Sequence, residues 1–405
     1  MQLLGISAAL AAFLGAGRTA PDSDLLHRRR GHEVPQYTVD PAWNVIKIAG
    51  GLQGVRTIVF DTEGNMLVSE ARKGISIHTF GADGCVASST MLIPEIALNH
   101  GLALTPDGKT LYASSERAAF SWSYDAATKT VSDKKTVVNG MDTGIHSTRG
   151  LLVSPNAPNL VMLQVGSNSN LDMQSAQPAT GRAIIKIFDM DKAPAADTTT
   201  RPTASGDDFK LNGADIHIDN PAEKLNFLGD PTKARDQFYG YPNCFSVWDP
   251  TPFQGRLKTG DHFVIDSSTG MTDATCNDKA IKPRLTFQAH SAPIYNSFDS
   301  DASNMYVTFH GSWNRQPATG FKVVEIPFTK TEAGQYDPVA PADSRDGYKD
   351  IFGASNPGSC TANGLTMSNC FRLTASTWEP AGRGLFVGSD NSSEGEIYLL
   401  TRKAA

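Results

Sequence analysis

The sequence has no C-x-x-C, C-x-x-C-H or H-E-x-x-H spacing. A structural zinc site and a haem attached through paired cysteines therefore have no support. Basic excess is missing too: 36 Lys and Arg against 42 Asp and Glu leave a formal charge of -6. Without a basic field for phosphate backbones, nucleic acid is excluded as a partner. Long helical patterns are absent, and so are apolar runs of the roughly 20 residues that a bilayer span needs. The apolar stretch at 1–16 is shorter than that and ends in small residues. It reads as a secretory signal cut within 16–20, which makes 1–20 a signal peptide and the protein secreted and extracellular, with no membrane partner. The run Arg28-Arg29-Arg30 is a processing site or a solvated charge run.

Cysteine is sparse, with five in 405 residues: Cys85, Cys244, Cys276, Cys360 and Cys370. An oxidising compartment favours pairing, while sequence alone leaves connectivity open. The local pairings are Cys244 with Cys276 and Cys360 with Cys370, which leaves Cys85 over.

What is present is a recurring strand, turn, strand unit. It appears at 56–69, RTIVFDTEGNMLVS, again at 101–114, GLALTPDGKTLYAS, and more loosely at 150–163, with later echoes at 293–309 and 373–388. A return every 45 to 50 residues or so is a propeller-like period. A β-sandwich is the alternative, but Asp and Gly fall at matching turn offsets in the first two units. The expectation is an all-β propeller, one domain over 40–405. Loops from one face of every blade then converge on a central channel. Two stretches break the period: the polar, Pro- and Thr-rich 191–210 reads as a linker, and 331–362 as a long inter-blade loop.

The stretch 290–328 concentrates two histidines, a Trp and an Arg between strands expected at 305–310 and 321–326. Residues alone allow a plain hairpin with Trp313 in the core and Arg315 solvated. However, HGSWNRQPATGFKVVEIPF resembles the HGSWNR and PTGYKVV signature of the glucose/sorbosone dehydrogenase family, and within it the secreted fungal enzymes that use pyrroloquinoline quinone (PQQ). The resemblance spans 56–398 and implies a six-bladed propeller that oxidises a sugar, with PQQ as hydride acceptor and electrons leaving to an external acceptor such as a haem domain or a copper oxidase.

It also implies roles. His146, in GIHSTRG, resembles the family His that takes a proton from a sugar hydroxyl, a task suited to an imidazole, with Arg149 beside it to stabilise negative charge. Arg56 matches an early family arginine and would hold a PQQ carboxylate through its planar fork. His290, His310, Trp313, Asn314, Arg315 and Arg372 are the other cofactor-binding candidates. Trp313 would stack on a planar ring. The segment Asn99-His100-Gly101-Leu102 resembles a family segment without an assigned role, and Asp390 reads as a turn residue bonding locally. Asn391-Ser392-Ser393 is a glycosylation sequon.

One family segment is missing. Relatives carry a G-L-R-N strand and a second strand whose carbonyls bind calcium, a hard ion suited to oxygen ligands. Here 205–213 runs almost directly into Asp215-Ile-His-Ile-Asp-Asn-Pro-Ala-Glu-Lys-Leu-Asn226, so the metal ligands are unknown and one blade is expected to be incomplete. Asp215, Asp219 and Glu223 read as turn or surface acids. Two other readings follow: a non-catalytic propeller that binds a sugar or a protein, and a metal-dependent propeller lactonase.

Overall fold

The computed structural model describes residues 35–192, 210–211, 214–233, 237–266, 269–360 and 369–403. The signal stretch 1–20, the core of the linker and most of 205–213 lie outside these residues.

The first repeat folds into a four-stranded antiparallel sheet of Val55–Phe60, Met66–Glu70, Gly74–Phe80 and Val86–Ile93. Its first turn forms because Asp61 Oδ1 accepts from the backbone amides of Glu63 and Asn65 at 2.9 and 2.8 Å, while Gly64 takes the left-handed conformation at φ +77°. The second repeat uses the same chemistry at Asp107 and Gly108, φ +70°. Its sheet runs Leu98–Leu104, Thr110–Ser115, Ala119–Asp125 and Thr130–Val138. A three-stranded sheet follows, Leu151–Val153, Leu160–Val165 and Ile184–Asp189.

Between 210 and 287 the described strands form only two-stranded ladders: Lys210–Leu211 with Ala214–Asp215, Glu223–Leu225 with Leu285–Phe287, and Cys244–Ser246 with His262–Val264. The helix Asp273–Lys279, capped by Thr272, packs on the last of these. Regular blades resume at Pro293–Phe298, Asn304–Phe309, Lys322–Lys330 and Lys349–Ala354, and then at Leu373–Trp378, Leu385–Ser389 and Gly395–Arg402.

The chain is an all-β propeller, and the placement of its core shows why. Leu67, Ile75 and Ile77 of the first blade pack with Leu102, Leu111 and Trp122 of the second. Tyr112 and Ala103 pack with Leu151, Val161 and Leu163 of the third. Each apolar face is thus buried by the neighbouring sheet, side by side, which excludes the sandwich.

One expectation changes. The stretch 331–362 is not one loop: Tyr336–Pro338 and Lys349–Ala354 are strands, and the second extends the blade against Lys322–Lys330. A strand also precedes the first repeat. Trp43–Leu52 pairs antiparallel with the last strand, in register from Trp43 with Arg402 to Leu52 with Gly395, so the ring is closed by the chain's two ends. Two disulfides form, Cys244–Cys276 and Cys360–Cys370, as the local pairings anticipate, and Cys85 joins neither.

Candidate functional site

The strand connections that enter inner strands carry the polar residues, and three clusters form there. The first joins distant blades. Arg56, on Val55–Phe60, directs Nη1 to Asp390 Oδ2 and donates from Nε to His100 Nδ1 at 3.1 Å. Asp390 Oδ1 accepts from His310 Nε2 at 2.7 Å across 80 residues of sequence. Arg372 contributes a second cation to the same carboxylate. Burial pushes the Asp390 carboxyl up, but His310, Arg56 and Arg372 outweigh it and hold the group below the ordinary carboxylate range. The same burial, with Arg56 adjacent, lowers His100 to about 3, and burial also lowers His310 despite the pull of Asp390. Both imidazoles are neutral at pH 7.

Asp390 is therefore not the local turn residue expected from sequence: even its amide bonds to a neighbouring strand, at Arg372 O, 2.9 Å away. A lone Asp in a turn gives no hint of partners 80 and 334 residues away. His100 was within reach of sequence reasoning, because it lies on the first strand of its blade as Arg56 does.

The second cluster surrounds the motif loop. Arg315 commits its guanidinium to protein: Nε donates to Ile218 O at 2.7 Å, Nη1 to Pro317 O and Nη2 to Asp219 Oδ1 at 3.0 Å. His217 Nε2 donates to Asn314 O at 2.8 Å, and the His217 and His290 rings lie 4.4 Å apart. His290 Nε2 donates to His217 O and Asn220 O at 2.5 and 3.1 Å, while its buried Nδ1 has no hydrogen-bond partner. Burial lowers His290 to about 4. Trp313 is 42% exposed, so it presents a planar face rather than filling the core. The loop bends here because Gly311 has φ +92° and a Cβ would stand 2.2 Å from the Phe321 ring.

The acids near the expected gap divide by role. Asp215 Oδ1 accepts from the His217 amide at 2.9 Å, and Asp219 pairs with Arg315. Glu223 lies on the strand Glu223–Leu225, where burial raises it to about 7 although the Ala292 amide stabilises its charged form.

The third cluster holds His146. Its Nδ1 lies 2.9 Å from Ser167 O and 3.0 Å from Ser167 Oγ. The carbonyl can only accept, so Nδ1 carries the proton and Nε2 is the basic nitrogen. Arg149 is 1% exposed and donates to His146 O at 2.7 Å, Thr148 O at 2.9 Å and Asp142 O at 2.5 Å, clamping the loop from inside. Arg182 holds Asp142 at 2.5 Å and Asp172 at 3.4 Å.

The clusters are joined through backbone. Gly311 N donates to Ser291 O at 3.1 Å, linking the first two, and Asn99 Nδ2 donates to Ser147 O at 2.9 Å, linking the His100 strand to the His146 loop. Arg56, His310 and Arg372 thus share one centre, Asn314, Arg315 and His290 a second, and His146 and Arg149 a third. A cavity of about 600 Å³ lies against the second cluster, bounded by Thr38, Gln288, Arg315, Lys322 and Phe352. It touches neither the first cluster nor the third. Among the described residues no group of three or more His, Cys, Asp or Glu is arranged to hold a metal ion, and no helix is long and apolar enough to cross a membrane.

Comparison with known proteins identifies the family. The TrAA12-like family model matches residues 37–206 and 201–403. The pyrroloquinoline quinone-dependent pyranose dehydrogenase of Coprinopsis cinerea is 38% identical, with the match covering 92% of this chain and 56% of that protein. The chain thus spans about half the length of that relative. The pyrroloquinoline quinone-dependent sugar dehydrogenase of Hypocrea jecorina is 34% identical over 91% of this chain and 90% of its own. The holo pyranose dehydrogenase PQQ domain from Coprinopsis cinerea superposes with a TM-score of 0.85 at 37% identity, covering 92% of this chain and 98% of that one. By fold and by sequence over nearly its whole described length, the chain belongs to the TrAA12-like family, with the fungal pyrroloquinoline quinone-dependent pyranose and sugar dehydrogenases as its relatives.

Proposed function

We propose that this chain binds PQQ on the clustered loops and oxidises a sugar hydroxyl carbon, passing electrons to an external acceptor such as a haem domain or a copper oxidase. The observation that carries the reading is the Arg56, Arg372, Asp390, His310 centre. Arg56 is ion-paired to Asp390, Arg372 lowers the same carboxyl electrostatically, and both histidines are neutral. PQQ is a planar tricarboxylate, and a cluster that holds two arginines fits such an anion. The exposed face of Trp313 fits its planarity.

When bound, PQQ supplies the two-electron acceptor that no side chain offers. The protein's part is placement and proton transfer. His146 takes the hydroxyl proton at Nε2, with Nδ1–H held on Ser167 so that the correct tautomer faces the substrate. Arg149 acts through the loop, holding the His146 backbone in place. Arg56 and Arg372 bind carboxylates, and His290, His310, Trp313, Asn314 and Arg315 build the remaining wall. Calcium is expected by resemblance alone, and the segment that supplies its ligands in the family is missing from this sequence.

Six blades are part of this reading, with the two-stranded ladders between 210 and 287 taken as the fourth blade in chain order. Secretion is another part, supported by two disulfides, which persist in oxidising compartments. The test is titration of the purified protein with PQQ, with and without calcium, followed by dye reduction on a panel of aldoses and ketoses. Saturable uptake with turnover that disappears in His146→Ala is the expected result. No uptake in either condition would leave a non-catalytic propeller.

A further inference from the structure

His100, Arg56, Asp390 and His310 form one continuous hydrogen-bonded chain drawn from four separate strand ends. Arg56 can only donate, from Nε to His100 Nδ1 at 3.1 Å and from Nη1 to Asp390 Oδ2. Asp390 is ionised and can only accept, so at its other oxygen, 2.7 Å from His310 Nε2, the imidazole must supply the proton. The polarity of every link is therefore set by two groups with a single possible role. Since both imidazoles are neutral, each has one proton to place. His100 accepts at Nδ1, so its proton sits on Nε2; His310 donates from Nε2, so its Nδ1 is bare. The side chains of Arg56, His310 and Asp390 are 11%, 14% and 14% exposed, so the chain sits at the edge of solvent, where a ligand can reach it.

We propose that Asp390 is the positioning residue of this site, fixing His310 as a hydrogen-bond acceptor at Nδ1 and, through Arg56, His100 as a donor at Nε2. This rests on the reading of the site as the quinone-binding centre for its effect on turnover, though the tautomers themselves do not. Replacing Asp390 by an amide, which can donate as well as accept, removes the constraint at His310, while Arg56, which can only donate, still sets His100.

The experiment uses the full chain without cofactor, labelled with ¹⁵N-histidine, and reads imidazole tautomers at pH 7 from long-range proton–nitrogen correlations. Wild-type protein is expected to show His310 and His100 as neutral Nε2–H tautomers, and Asp390→Asn to show a mixed or inverted population at His310. A wild-type His310 protonated on Nδ1, or doubly protonated, would overturn the proposal without recourse to any variant. Wild-type tautomers persisting in a folded Asp390→Asn protein would overturn it equally. With PQQ and sugar present, Asp390→Asn is expected to lower kcat about 10- to 100-fold and to shift the pH profile, with Asp390→Glu restoring part of both. A wild-type protein that takes up no PQQ while showing the expected tautomers would refute the quinone reading and uphold this one.

Discussion

Asn99 Nδ2 donates to the carbonyl oxygen of Ser147 at 2.9 Å, so the strand that carries His100 holds the loop that carries His146. The bond crosses from the second blade to the entry of the third. It ties together two clusters whose residues lie 48 positions apart. Asn99→Ala deletes the donor and leaves the fold intact, at a cost of about 1 kcal/mol. Turnover is expected to fall further than stability, by about 5- to 10-fold, because the loop bearing the proposed base loses its lateral support. Urea midpoints and dye reduction measured on one preparation check this; a variant that loses stability but not kcat would place the bond outside the active arrangement.

Gly166 gives a second view of the same loop. A Cβ there would stand 3.1 Å from the Cβ of His146, close enough to displace it by a few tenths of an ångström. Gly166→Ala is therefore expected to lower kcat about 3- to 10-fold while KM for the sugar and the urea midpoint stay near wild type. Unchanged kcat in this variant would mean that His146 tolerates displacement and is not the base.

Acid should destabilise the protein well before its carboxylates protonate. His78, His100, His262 and His290 are all buried, and burial lowers them to about 4, 3, 3 and 4. In the unfolded chain each titrates near 6.5, so below that pH the unfolded state binds protons that the native state refuses. Their neutral forms weigh nothing against folding above about pH 6.5. As pH falls from there toward about 4 and 3, each histidine removes up to about 1.4 kcal/mol per pH unit. Urea midpoints at pH 7.5, 6 and 5 should decline with increasing steepness. A flat profile would show that these imidazoles are hydrated or proton-accepting in the native protein.

How much of this was legible from sequence depends on the range of the interaction. The turns at Asp61 to Gly64 and Asp107 to Gly108 are local, so the blade pattern could be read directly from residue types. Both disulfides join neighbours in sequence, at separations of 32 and 10, and local pairing found them. Ring closure was invisible, because Trp43–Leu52 earns its partner only when the last strand arrives some 350 residues later. Asp390 failed for the same reason: its chemistry belongs to Arg56 and His310, not to its own turn. Arg315 shows the opposite limit. Its motif is recognisable, but that its charge is matched by Asp219 follows only from how the 216–219 segment folds against it.

The two disulfides close loops of different size, and that difference is measurable. Cys244 and Cys276 are fully buried, 32 residues apart, and join the ladder strand Cys244–Ser246 to the helix Asp273–Lys279. Cys360 and Cys370 close a span of only 10 residues. Cross-linking restricts the unfolded chain more as the loop lengthens, by about 4 kcal/mol for the first bridge and about 3 kcal/mol for the second. The first bridge also anchors a region that has only two-stranded ladders, where few backbone bonds can substitute for it. The double variant Cys244→Ser with Cys276→Ser is therefore expected to lose more than Cys360→Ala with Cys370→Ala, and to expose protease sites between 237 and 287 first. Limited proteolysis with fragment mass analysis, alongside thermal melts, separates the outcomes. Equal losses, or first cleavage in another blade, would show that the ladder region is held by its packing rather than by its cross-link.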